Sequence, residues 1–403
     1  MSGLWIEVDL DAVKFNYGQV VSRLSPGSRC MAVVKADAYG LGAPEVARAL
    51  EQAGCEAFAV TSVAEGIVLR ENGIQGLILV LGPSDPQEWP AAVRAGLSLT
   101  IAAAAAITEL EKISAVSGRE AFVHLKLESG MGRTGLWPED IAPTARALTE
   151  AAWVQASGIY THFSRAAQRD ERYTRKQYEK FCQGVAQFAA LGIEPAWRHV
   201  CNSAAFLDYP AWHHDFVRIG TLLIGHYPQP AFRPFLPLKD PWRAKSRIQY
   251  VRQAPKGTCV GYQSLYKTRR DTELAVIFAG YADGFGVEPH MTPQGFFDLC
   301  KVVLKNIAAC CGVFLGREKV TLKGRAIRVA GKIGMQLTVL DVGVGTCQVG
   351  DEVEVPLRRT LANPRLPRKY WEDGRRIGER RLREEFYPAE PERSDAEGEE
   401  TGR

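Results

Sequence analysis

At 403 residues the chain has room for two domains, each long enough to bury a core of its own. Apolar residues make up 46% and charged residues 24%, and a net charge of +4 is too small to argue for a nucleic-acid surface. No run of 18 apolar residues is present to span a membrane.

The opening stretch MSGLWIEVDLDAVKFNYG has acids and no apolar segment of the kind that marks a secretory signal. Nine cysteines lie scattered without a CxxC pair. That usage fits free thiols in a reducing cytosol rather than disulfides or a metal site, so a cytoplasmic protein without a metal is expected.

From about residue 12 to 235 short apolar runs alternate with amphipathic stretches such as APEVARALEQAG and YTRKQYEKFCQGVAQFAALG. The runs predict strands at 30–35, 57–60, 77–81 and 98–101, then at 121–127, 154–160, 198–202 and 215–220. Eight strands alternating with helices predict an α/β fold, a (β/α)8 TIM barrel over 12–238. A doubly wound open sheet is the competing architecture, but no GxGxxG follows the first strand. After KDPWRAK the texture changes, and glycine-bearing turns join strand-like runs. A smaller, mostly-β domain is expected over 239–372, with one helix-like insert, GFFDLCKVVLKNIAACCG, inside 286–330. Residues 373–403 are densely charged and expected to form a disordered tail, the arginine-rich part from Arg375 to Arg383 being read as a solvated helix.

A barrel gathers functional groups at the C-terminal ends of its strands. Lys35 closes the first predicted strand, in VVKADAYGLG, and Lys126 the fifth, with Arg133 soon after. His162 follows the sixth strand, Asn202 and Ser203 the seventh, and Arg218, Gly220 and Thr221 close the eighth. Any one of these has a plain structural reading: Lys35 could turn outward, Ser203 could cap a helix, and Gly220 could be a turn glycine. Their convergence on one mouth favours chemistry. An amine among apolar side chains and cations is a competent nucleophile, and its natural partner is a carbonyl, pyridoxal phosphate above all. The hydroxyls of Ser203 and Tyr39 and the backbone N–H groups of Gly220 and Thr221 would serve the phosphate.

VVKADAYGLG resembles the cofactor-lysine signature of alanine racemases, usually VVKANAYGHG. HLKLESGMGRTG (124–135), YTHF (160–163), HVCNSAA (199–205), VRIG (217–220) and GYADG (280–284) are similar to that family in the same order. The resemblance runs from about Trp5 to Asp351. It implies a pyridoxal-phosphate barrel with a β domain that also takes the N-terminal strand (1–11), working as a head-to-tail homodimer. It implies that Lys35 carries the cofactor and is one of two catalytic bases, and that Tyr281, from the partner subunit, is the other. Racemisation needs this arrangement, one group removing the Cα proton while another returns a proton to the opposite face. Tyr39, Leu81, His162, Asn202, Ser203, Arg218, Gly220 and Thr221 are the implied cofactor contacts, Arg218 facing the pyridine nitrogen. Arg133 and the backbone of Met335 are implied to hold the substrate carboxylate. His162 and His199 are implied to extend a hydrogen-bonded chain through Arg218 toward Tyr281 and to help lower its pKa, and Lys126 is placed like a lysine that some members carry as a carbamate.

The chain also departs from the family. Asp37 replaces the usual asparagine, Leu41 a histidine and Gln336 an aspartate, and SRAAQ after YTHF leaves Ala167 where an entrance acid is common. The tyrosine that usually reaches the phosphate near the C-terminus is missing, and Tyr370 is not in its context. These departures suggest altered substrate choice, so the expected activity is alanine racemisation or a related Cα-deprotonating reaction on another amino acid. A non-catalytic pyridoxal-phosphate protein is the remaining alternative.

Overall fold

In the computed structural model, which describes residues 3–287, 295–310 and 319–381, eight short strands form the first body of the chain. They are β2 (Arg29–Val33), β3 (Ala57–Val60), β4 (Leu77–Val80), β5 (Ser98–Ile101), β6 (Ala121–Lys126), β7 (Val154–Tyr160), β8 (Trp197–His199) and β9 (Phe216–Ile219). From β2 to β8 each pairs in parallel with the next, and β9 pairs in parallel with β2. Closure between β8 and β9 is made by the Asp215 N–H on the Arg198 carbonyl (3.1 Å) and the Arg218 N–H on the Cys201 carbonyl (2.9 Å). All eight predicted strands are present, because a strand buried on both faces reads as an apolar run.

Side-chain alternation then decides what points where. Met31 and Val33 pack with Ala57, Ala59, Leu79 and Phe216 in a small cluster, while Cys30, Ala32 and Val34 join the larger core. Lys35 has the parity of Met31 and Val33. It lies two residues past the end of β2 rather than closing it.

The chain after Lys35 is unusual. Ala36, Asp37, Ala38 and Tyr39 all have φ between 50° and 56°, so four consecutive non-glycine residues form a left-handed turn. Such a conformation costs about 1–2 kcal/mol per residue and persists only where its surroundings impose it.

The second body is a nine-stranded sheet. It contains β1 (Leu4–Asp9), β10 (Trp242–Ala254), β13 (Thr272–Phe278), β14 (Val320–Leu322), β15 (Arg325–Val329), β16 (Leu337–Asp341), β17 (Glu352–Glu354), β18 (Arg368–Glu372) and β19 (Arg375–Arg380). A two-stranded ribbon, β11 (Cys259–Val260) and β12 (Tyr266–Lys267), accompanies it. The N-terminal strand β1 runs antiparallel to β10 and parallel to β18. The insert carries a helix, Phe296–Cys310, whose paired phenylalanines Phe296 and Phe297 are exposed.

One expectation is overturned. Arg375–Arg380 is neither a solvated helix nor part of a disordered tail; it is strand β19, antiparallel to β18. Asp373 and Gly374 both adopt positive φ (49° and 69°), the mark of a tight Asp-Gly hairpin turn. Charge hid the strand in the sequence, and an arginine-rich outer strand is a common way to guard a sheet edge. Residues 382–403 lie outside the described residues.

Gly42 (φ +107°) marks where barrel and sheet press together: a Cβ there would lie 2.1 Å from the Tyr370 hydroxyl oxygen. Gly42→Ala combines backbone strain with overpacking and should destabilise the fold by about 2–4 kcal/mol. The shift in the urea unfolding midpoint measures this, and an unchanged midpoint would contradict the close approach.

Candidate active site

The predicted strand-end residues meet at one opening. A cavity of 660 Å³ is lined by Lys35, Tyr39, Leu81, Lys126, Arg133, His162, Asn202, Ser203, Arg218, Gly220 and Thr221. His199 lies beneath them, fully buried. Tyr281 and Met335 are not in this lining; they sit on the β domain, 50% and 59% exposed. The cavity therefore holds every sequence-predicted residue of the barrel except His199, and neither of the two from the β domain.

One end of the cavity is built to donate hydrogen bonds. Gly220 follows β9 directly, and a Cβ on it would lie 2.1 Å from the Tyr39 hydroxyl oxygen, so only glycine lets Tyr39 reach that place. Burial pushes the Tyr39 phenol up to about 12, keeping it protonated as a donor. Asn202, not Ser203, caps the helix Ser203–Asp208, its Oδ1 accepting the N–H groups of Ala204 (3.2 Å) and Ala205 (3.1 Å). Ser203 is thereby freed, and its Oγ accepts the Gly220 N–H at 3.3 Å.

Arg218 organises the floor. It is 3% exposed and donates to the carbonyls of His199 (2.8 Å), Thr161 (2.7 Å) and Val200 (3.2 Å). It also donates to Nδ1 of His199 at 2.9 Å and faces Nδ1 of His162 at 3.4 Å. A guanidinium only donates, so His199 must accept at Nδ1 and carry its proton on Nε2. That proton points at Nδ1 of His124, 2.9 Å away, which places the His124 proton on Nε2. Burial, and then the Arg218 charge, holds His162 and His199 well below the usual histidine value and brings His124 down to about 3. All three rings are neutral. Burial lowers Arg218 to about 10, so it remains the one charged member at neutral pH. Tyr160 stacks on His199 with centroids 4.7 Å apart, and the guanidinium sits 5.1 Å over the Tyr160 ring.

Lys126 closes β6 at 3% exposure and donates to the Thr134 hydroxyl at 2.5 Å. Burial, then Arg133 and Arg218, bring its amine down to about 8. The loop carrying Arg133 and Thr134 is shaped by Glu128, whose carboxylate accepts the N–H groups of Gly130 (2.5 Å), Met131 (2.7 Å) and Gly132 (3.0 Å). No carboxylate lines the cavity among the described residues, while Lys35, Lys126, Arg133 and Arg218 do. Such a site attracts anions.

His124, Tyr160, Glu65 and Glu128 were not predicted. His124 had a signal, since it shares the parity of Lys126 two residues on and so faces inward from the same strand. Tyr370 is buried, with its hydroxyl against Gly42, and does not line the cavity.

Comparison with known proteins places these features in a lineage. A family model described as alanine racemase, N-terminal domain, matches residues 8–228, and its C-terminal counterpart matches residues 242–363. Alanine racemase of Symbiobacterium thermophilum is 38% identical over 285 residues, 71% of this chain and 75% of that protein. Alanine racemase of Desulfosudis oleivorans is 35% identical over 362 residues, 87% of this chain and 86% of that protein. Among solved structures, alanine racemase of Clostridium difficile 630 superposes with a TM-score of 0.83 at 28% identity, covering 94% of this chain and 99% of that one.

The low Lys126 value has a consequence for stability. Between about 8 and the ordinary 10.5 the unfolded chain holds a proton that the folded chain does not, so stability rises with pH across that window. Below pH 8 the penalty is fully present. Lys126→Met should therefore stabilise the cofactor-free protein at pH 7 by about 1–2 kcal/mol, allowing for screening by water in the cavity. The gain should shrink as pH rises from 8 to 10.5. Urea midpoints of both proteins across that range test this, and a gain independent of pH would contradict it.

Proposed function

Because this chain belongs to the alanine racemase family, we propose that it interconverts L- and D-alanine, using pyridoxal phosphate in the barrel mouth. The observation that carries the reading is one cavity with a lysine, a row of phosphate-type donors and a buried guanidinium, and no opposing carboxylate.

The residues present fit the cofactor. Lys35 would supply an amine for its aldehyde carbon, and the hydroxyls of Tyr39 and Ser203 and the Thr221 N–H would supply donors for its phosphate, joined by the Gly220 N–H where it turns from Ser203. Leu81, His162 and Asn202 border the remaining space. Arg218, a permanent donor, would face the ring nitrogen and leave it unprotonated. When bound, the cofactor supplies the electron sink that lets an amino-acid Cα proton ionise. A ring nitrogen held unprotonated makes that sink modest, which suits a reaction that must return the proton rather than move charge elsewhere.

Arg133 is in place to orient the substrate carboxylate, and the cation-rich cavity draws that carboxylate in. Lys35 would take or give the Cα proton on one face. The second base must come from the other face, and Tyr281 is the family's residue for this. Its 50% exposure, outside the cavity of its own barrel, supports a role in a second subunit. Phe278, Met335 and Leu337, also exposed on β13, β16 and the turn before it, give that surface the apolar character of a face that meets another chain. We therefore propose a homodimer in which Tyr281 and the Met335 backbone of the partner subunit complete each site.

Borohydride reduction of the loaded protein followed by peptide mapping should place the cofactor on Lys35. Lys35→Ala should lower D-alanine formation from L-alanine at least about a thousandfold. An adduct on another lysine would sink the assignment, and Cα–H exchange in deuterated water should favour alanine over serine, glutamate and lysine.

The shared site makes a further demand. Mixing inactive Lys35→Ala and Tyr281→Phe subunits should restore about one quarter of wild-type activity, since half the dimers are mixed and each mixed dimer regains one site of two. No recovery, once subunit exchange has been confirmed, would show that the two residues do not meet across an interface.

A further inference from the structure

The left-handed turn from Ala36 to Tyr39 joins the proposed cofactor lysine to the proposed phosphate donor, so whatever holds this turn also holds both groups. On the side toward Lys35 the clamp is Glu65. Its carboxylate accepts the N–H groups of Ala36 (2.6 Å), Thr61 (2.8 Å) and Ser62 (3.2 Å), tying the turn to the end of β3. On the far side the clamp is Asp37. Its Oδ1 accepts the Ala43 N–H at 2.8 Å, which closes the loop on itself.

The other oxygen, Oδ2, is bonded by the guanidinium of Arg380, the last residue of β19. Arg368, on the neighbouring β18, donates from Nε to the Gly40 carbonyl at 2.7 Å and lies 4.0 Å from the same Asp37 oxygen. Two arginines of the β domain thus grip the loop from behind. Arg380 and Asp37 are both largely sheltered, 25% and 38% exposed at the side chain.

We propose that Arg380 is a positioning residue for the cofactor site, acting through Asp37 to hold the strained turn that presents Lys35 and Tyr39. The family's usual asparagine could still accept the Ala43 N–H, but it has no charge to offer a guanidinium. An aspartate at 37 has a use only where a cation can reach it, and here the hairpin β18–β19 delivers one across 343 residues of sequence. The strain in four non-glycine residues makes the contact consequential, because a turn that costs several kcal/mol relaxes when a restraint is removed. Relaxation would withdraw the Tyr39 hydroxyl from the close approach at Gly220.

The inference rests on the cofactor reading above, and one experiment separates their fates. Cofactor-free protein is titrated with pyridoxal phosphate, and the visible absorbance band of the lysine-bound cofactor reports the dissociation constant. Arg380→Gln and Asp37→Asn should each raise that constant about three- to tenfold, the range expected of a sheltered ion pair. The double variant should fall well short of the product of the two single effects, since both remove the Arg380–Asp37 contact while each also touches one longer ion pair, Arg368–Asp37 or Arg380–Glu45. Arg380→Lys should recover part of the loss. Asp37→Asn installs the family's own residue, so it keeps the test valid should the arginine variant fold poorly. Thermal midpoints of the cofactor-free proteins supply the control for a merely structural role, which would lower the midpoint and leave the dissociation constant alone. Unchanged dissociation constants, or strictly additive effects, overturn the inference and leave the cofactor reading standing. A wild-type protein that forms no such band overturns both.

Discussion

A guanidinium buried at the floor of the barrel sets the terms for everything above it. An ion taken out of water costs several kcal/mol unless its surroundings answer it, and Arg218 is answered by carbonyls from the ends of β7 and β8. Because it can only donate, it also dictates the state of its neighbours. His199 must accept, its proton must face His124, and the row of rings is left neutral and polarised in one direction. A fixed positive charge under the cavity is the outcome, with no carboxylate in the lining among the described residues. Replacing that guanidinium by a carboxylate would invert the protonation of any ring nitrogen above it, and with it the class of chemistry the barrel could support.

The same mouth concentrates the molecule's other local costs. Four basic side chains share one cavity without a lining carboxylate among the described residues, and burial, then Arg133 and Arg218, bring the Lys126 amine down to about 8. A few ångströms of chain away, four residues stand in the left-handed region. Beneath them the barrel interior is conventional, with Met31, Val33, Ala57, Ala59, Leu79 and Phe216 packed as small apolar layers. Positive φ at non-glycine residues occurs elsewhere too, at Gln263, Ser264, Lys323 and Asp373, but among the described residues only beside Lys35 does it run through four consecutive residues.

Much of this could be read from the residues alone, for a simple reason. Parallel strands covered on both faces are apolar runs, so all eight barrel strands were visible, and the strand-end rule then brought Lys35, Lys126, His162, Ser203 and Arg218 to one place. What stayed hidden depends on contacts between distant elements. His124 begins the HLKLESGMGRTG motif, but its role depends on His199, 75 positions away. Ser203 had the plain reading of a helix cap, and the structure shows that Asn202 takes that role instead. Strand β19 was masked by its own arginines, although Asp373-Gly374 carried the turn signal. Composition argued for disorder there because it counts charges without knowing what they face.

Asp37 shows where reading by family pattern alone reaches its end. Taken singly it is a tolerated change two residues from Lys35; with Arg380 in view it is half of a pair whose other half lies outside the motifs that carry the family resemblance. The meaning of a departure therefore depends on where its side chain can find a partner. Gln336 and Met335 are exposed on the β domain and do not line the cavity, so the lost aspartate changes the β-domain surface rather than the barrel mouth of the same chain. Ala167, by contrast, lines the cavity itself, so the missing entrance acid acts on whatever enters that barrel directly. The three departures thus lie in different settings: Asp37 at the junction between domains, Gln336 on the exposed face of the β domain and Ala167 in the cavity lining. No single shift in specificity has to explain them all.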